Sequence, residues 1–138
     1  MNYKTIAVAI DFSAQSLKAF ERSVIIASNN NATLKLVTVI DTKTFGSIAA
    51  YDLKYAAQLK SEYELKLNTL KQEALEKGVQ NVEILIEEGS PKVILTTLEN
   101  VELIICGESG YNQIEKWMLG SVAERIVRFA KCDVLTVR

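Results

Sequence analysis

Apolar positions in this chain form short runs and helical stripes that alternate from one end to the other. Lys4 to Ile10 (KTIAVAI) is a mostly apolar run, as expected of a strand covered on both faces. It ends at Asp11-Phe12-Ser13, a turn whose Ser13 is placed to cap a helix. Leu17, Phe20, Val24 and Ala27 then recur at three- and four-residue spacing, up to a stop at Asn29-Asn30-Asn31. Thr33 to Ile40 (TLKLVTVI) predicts a second strand, with Lys35 marking it as less completely buried than the first. Asp41 to Tyr51 has no clear period and reads as a mobile loop. From about Asp52 to Lys77, Ala56, Leu59, Tyr63, Leu67, Leu70 and Ala74 make one apolar stripe. Glu62–Lys66 and Glu73–Lys77 predict i,i+4 pairs on the solvated face. Gly78 is placed to end this helix in a left-handed conformation.

The second half repeats the alternation. Asn81 to Glu87 (NVEILIE) alternates apolar and polar residues, which predicts a strand near a sheet edge. Ser90-Pro91 starts a third helix, capped by Ser90 and ending near Asn100. Leu103 to Cys106 is a fully apolar strand. The last helix is predicted from Ser121 to Lys131, with Val122, Ile126, Val127, Phe129 and Ala130 as its apolar positions. Asp133 to Arg138 (DVLTVR) closes the chain as a fifth strand. Strict strand–helix alternation implies an α/β fold, and residues 1–138 are expected to form one domain. The expected architecture is a doubly wound, five-stranded parallel sheet of order 3-2-1-4-5 with helices on both faces. Ligands bind such sheets where the strand order reverses, here between the ends of strands 1 and 4, at Asp11 and Gly107.

The second of those ends opens an unusual stretch. After the strand, Gly107 and Gly110 are three residues apart, and Gly120-Ser121 follow a nine-residue insert. Glycines let a backbone approach a phosphate and turn N–H groups toward it, and a helix start adds unpaired donors and a positive dipole end. Ser121-Val122-Ala123-Glu124 has the S-x-x-E form of a capping box. A second reading treats Ser121 as a plain cap and the glycines as plain loop residues. Asp11 also has two readings, a ligand for Mg²⁺ or a turn residue bonded to its own backbone. Tyr111, Trp117, Met118 and Leu119 in the insert read as a lid or as packing of the loop onto the domain.

Composition narrows the chemistry. The 16 basic and 17 acidic residues nearly balance, which argues against a nucleic-acid binder. No apolar run is long enough for a bilayer and no signal-peptide pattern is present, so a cytoplasmic protein is expected. Cys106 and Cys132 are expected to be buried, reduced thiols. The chain contains no histidine, which removes imidazole catalysis and most zinc sites. Neither a P-loop nor a G-x-G-x-x-G dinucleotide fingerprint is present.

Gly107-x2-Gly110-x9-Gly120-Ser121 resembles the ATP-binding signature of the universal stress protein family, G-x2-G-x9-G-[ST]. The resemblance spans the chain, through IAVAIDFS (6–13), LVTVID (36–41), EEGSP (87–91), ELIICG (102–107) and GSVAERIVRFAKCDVLTVR (120–138). It implies that Gly107, Gly110, Gly120, Ser121 and Val122 hold phosphates and ribose, and that the Val39 backbone meets adenine. It also implies Asp11 near the ribose or a bound Mg²⁺, and an antiparallel homodimer through Asp133 to Arg138. Three positions depart from the family pattern. Asp133 replaces a frequent proline, the third helix is about one turn short and away from the crevice, and Glu108-Ser109 sets a carboxylate beside the phosphate loop. Such a carboxylate repels the ligand unless it points outward or meets a cation. Three functions follow: a stress-response module that binds ATP and acts through shape or partner, a slow ATPase or phosphoryl-transfer enzyme, or a nucleotide-free dimeric interaction protein.

Overall fold

The structure, a computed structural model, describes residues 2–42, 49–109 and 119–138, with residues 49–52 by backbone alone. Its elements are β1 (Thr5–Ala9), α1 (Ala14–Asn30), β2 (Thr33–Asp41), α2 (Ala49–Glu76), β3 (Asn81–Gly89), α3 (Pro91–Thr96), β4 (Leu103–Gly107), α4 (Ser121–Phe129) and β5 (Asp133–Val137). The five strands form one parallel sheet in the order β3-β2-β1-β4-β5.

Strand alternation divides the core into two layers. Ile6 and Val8 of β1, Leu34 and Leu36 of β2, and Leu103 and Ile105 of β4 pack with Phe20, Val24 and Ala27 of α1 and Leu67 and Ala74 of α2. Ala7, Val37, Ile104 and Cys106 face the other way, onto Leu95 of α3 and Ala123 and Ile126 of α4. The sheet is therefore covered on both faces, and of its three inner strands, β2, β1 and β4, the last is buried throughout.

Helix ends are set by local chemistry. Ser13 caps α1 by accepting the Ser16 N–H at 3.2 Å, and Asn31 ends it in the left-handed region at φ 53°. Gly78, at φ 103°, follows the last turn of α2, where the Val79 N–H closes on Ala74 O at 3.0 Å. The start of α2 at Ala49 lies three residues before the expected Asp52, inside the stretch read as loop. The insert's Tyr111, Trp117 and Met118, and Gly110 with them, lie outside the described residues. Leu119 is described and exposed.

Several local expectations are corrected. Neither Glu62–Lys66 nor Glu73–Lys77 is among the ion pairs of the described residues, which are Lys35–Glu83, Glu124–Arg128 and Glu108–Arg138. Lys66 instead lies over the Phe12 ring at 5.0 Å. Helix α3 ends at Thr96, short of Asn100, where the hydroxyls of Thr96 and Thr97 bond back to carbonyls of the preceding turn. Ser90 occupies its N-cap position without a side-chain bond. On α4, Val127 and Phe129 are 49% and 56% exposed, so the buried stripe is Ala123 and Ile126. Cys106 is buried but Cys132 is only half-buried. Asp133 pairs in register with Leu103 and accepts the Tyr3 hydroxyl at 2.7 Å, which anchors the start of β5.

Candidate functional site

A cavity of about 320 Å³ opens at the carboxyl ends of β1, β2 and β4, beneath the first turns of α3 and α4. That volume is at the lower end of the usual range for small-molecule sites. Asp11, Val39, Gly107, Gly120, Ser121 and Val122 all line it. Gly110 lies outside the described residues. Helix α3 was expected to lie away from the crevice, yet Pro91 and Leu95 form part of the wall. A helix of one and a half turns still reaches the cavity, because its first turn starts directly at the end of β3.

The β1 end is held by a small polar network. Asp11 Oδ1 accepts the Ser13 N–H at 2.9 Å, the Asp11 N–H donates to Ser16 Oγ at 3.3 Å, and Ser16 Oγ donates to Ser13 O at 3.1 Å. The turn-residue reading of Asp11 thus describes one carboxylate oxygen and leaves Oδ2 outside that bond. Phe12 between them has φ 65°. On β2, the Ile10 N–H donates to Val37 O at 2.8 Å, so the Val37 backbone faces β1. Backbone direction alternates along a strand, and Val39 therefore faces the same side, beyond the last residue of β1. Its N–H and C=O form a donor–acceptor edge at the apolar wall of Val37, Leu95 and Ile126.

The β4 end and the start of α4 are tied together by the Gly120 N–H, which donates to Glu108 O at 2.7 Å. The capping box is not formed. Gly120 is the N-cap, at φ −62° and ψ 157°, and Ser121 is already the first helical residue. The S-x-x-E pattern therefore sits one position too late to reach back, and Glu124 pairs with Arg128 at 3.1 Å instead. A glycine cap offers no side-chain acceptor, so the N–H groups of Ser121, Val122 and Ala123 have no partner within the helix. They carry the positive end of the helix dipole, and all three residues line the cavity. The Ser121 hydroxyl is outside the cap and exposed.

Gly107 is explained by packing. A Cβ there would meet the Gln15 backbone at 2.9 Å, so this glycine lets β4 pass against the first turn of α1. Glu108 does not line the cavity, and its carboxylate meets the Arg138 Nε at 3.8 Å. The cation that a carboxylate at this position requires is present. Ser109 lines the cavity with a buried hydroxyl that has no hydrogen-bond partner among the described residues. Sequence reasoning also missed Asp41, which ends β2 as Asp11 follows β1 and lies on the same wall. Its place at a strand end was the one available signal. Cys106 lines the cavity too, but burial pushes its thiol up to about 11, so it is protonated at neutral pH and a poor nucleophile.

The donor set fits a phosphorylated ligand: helix N–H groups without a partner among the described residues, a spare hydroxyl and an apolar wall. Among the described residues no group of three or more His, Cys, Asp or Glu side chains could hold a metal ion alone. One carboxylate with ligand phosphates completing the shell is the habit of Mg²⁺, and Asp11 suits it. No helix among the described residues is long and apolar enough to cross a membrane.

Comparison with known proteins agrees with this architecture. The model of the universal stress protein family matches residues 2–138. A Staphylococcus saprophyticus protein bearing that family's name is 42% identical over 142 residues, covering 100% of this chain and 85% of its own length. The universal stress protein UspA of Lactobacillus plantarum superposes with a TM-score of 0.85 at 25% identity, covering 100% and 99% of the two chains. A universal stress protein solved in complex with cAMP superposes at 0.76 with 26% identity, covering 100% and 98%. The chain belongs to the universal stress protein family.

Proposed function

We propose that this chain is an ATP-binding module of the stress response, holding adenine nucleotide with Mg²⁺ at the junction of β1 and β4. The observation that carries the reading is the glycine-capped start of α4, whose first three N–H groups have no partner among the described residues and border a cavity of about 320 Å³. Gly107, Gly110, Gly120, Ser121 and Val122 hold the phosphates and ribose. The Val39 backbone meets the adenine edge against Val37, Leu95 and Ile126. Asp11 holds Mg²⁺, which supplies charge neutralisation to the phosphates. A family member solved with cAMP supports the adenine-nucleotide class.

Output comes from nucleotide-dependent conformation or partner binding, and the chain acts as a homodimer through the open edge of β5. At most weak ATP hydrolysis belongs to this reading, since the sequence has no histidine to serve as a general base. Competition of ATP, AMP and cAMP against a fluorescent ATP analogue tests the ligand class, and a phosphate-release assay tests turnover. Displacement by ATP without phosphate release is the expected result. Phosphate release that Asp11→Asn abolishes would make the chain an ATPase.

A further inference from the structure

Phe12 stands at φ 65°, in the left-handed region that glycine adopts freely and bulky side chains rarely do. Glycine would make this turn without strain, so the turn's shape does not come from the residue's own preference. Its ring is held from the α2 side. The Tyr63 ring lies 5.1 Å away centroid to centroid, tilted by 33°, and Lys66 Nζ lies 5.0 Å from the Phe12 centroid and 6.0 Å from that of Tyr63. Phe12 also packs against the core layer beneath α1 and α2. Neither Tyr63 nor Lys66 lines the cavity, but Asp11, the neighbour of Phe12, does. The same turn carries the Asp11 Oδ1 to Ser13 N–H bond at 2.9 Å.

We infer that Phe12 is a positioning residue: the clamp of Tyr63 and Lys66 on its ring holds the strained turn and so aims the Asp11 carboxylate at the cavity. Aromatic stacking and a cation over the ring face both favour the clamped state. Without them, relief of the backbone strain releases the turn. In its consequence for Mg²⁺ the inference rests on the nucleotide reading above; in its account of the turn it does not.

The test uses the whole chain and two readouts. Hydrogen exchange of the Ser13 amide, followed by NMR, reports the Asp11 bond without any ligand. The ratio of ATP affinities with and without Mg²⁺ reports the carboxylate's work on the metal. Tyr63→Ala is expected to speed Ser13 exchange and to cut the Mg²⁺-dependent gain about two- to tenfold, the span of one aromatic pair. Tyr63→Phe, which keeps the ring, is expected to retain both. In an Asp11→Asn background, Tyr63→Ala is expected to cost nothing further. Where Tyr63→Ala does not fold, Tyr63→Leu takes its place, keeping apolar volume without a ring. Unchanged Ser13 exchange in a folded variant, or a loss that persists with Asp11→Asn, would overturn the inference. Wild type that binds no ATP defeats the nucleotide reading, while Ser13 exchange still decides the clamp.

Discussion

Gly107 sits where two backbones touch, and this gives it a structural cost that its place in a glycine motif would not suggest. A methyl group there meets the Gln15 backbone, which cannot swing aside as a flexible side chain would. Gly107→Ala is expected to destabilise the fold by about 1–3 kcal/mol, read from denaturant unfolding. Its neighbour Cys106 makes stability depend on pH. The folded thiol is raised from an ordinary 9.0 to about 11 by burial. Below pH 9 both states keep the proton and the contribution is complete. Between 9 and 11 the unfolded chain loses the proton while the folded chain keeps it, so stability falls as pH rises. The loss is expected to reach up to about 3 kcal/mol and to be absent in Cys106→Ala, by unfolding at pH 8, 10 and 11. The strand itself was readable from its apolar run. The touching backbones were not, because they depend on where α1 crosses β4.

Among the elements, α1 and α4 start in different ways, although both carry a serine near the beginning. Ser13 accepts a backbone N–H and Ser121 does not. Ser13→Ala is expected to cost about 1 kcal/mol, and Ser121→Ala within about 0.5 kcal/mol, in thermal melts. The S-x-x-E pattern pointed to Ser121 as cap because pattern alone cannot tell the N-cap from the next residue. The extended backbone of Gly120 decides it. Element types were readable throughout, since the strand runs and the stripes of α1 and α2 bury the faces their periods predict. Boundaries were less so. Apolar residues at the end of α4 suggested a longer buried stripe, whereas the chain leaves the helix at Ala130 with Val127 and Phe129 exposed.

At the level of the molecule, strand–helix alternation implied a parallel sheet. The observed order is the one expected of a chain that starts in the middle, with the cavity at its switch point. The glycine spacing added the α4 start. Asp41 and Ser109 stayed hidden because only the folded wall shows which residues at and beyond the strand ends line the cavity. The open edge of β5 carries the dimer proposal. Val137 O accepts the Glu108 N–H, so Asp133, Leu135 and Val137 turn their polar groups to β4, and Val134 and Thr136 turn theirs outward. Thr136→Pro removes an outward N–H and spares the β4 ladder. Sedimentation equilibrium is expected to find a wild-type dimer and a folded Thr136→Pro monomer; equal masses would remove β5 from the interface. The central claim, a phosphate cradle at the capped start of α4, is tested most directly by calorimetric titration of ATP and Mg²⁺ into wild type and Gly120→Val. The φ of Gly120 admits a side chain, so the variant is expected to fold. Binding by wild type and its loss in the folded variant is the predicted result. Equal binding by both would contradict the cradle, and binding by neither would contradict the nucleotide itself.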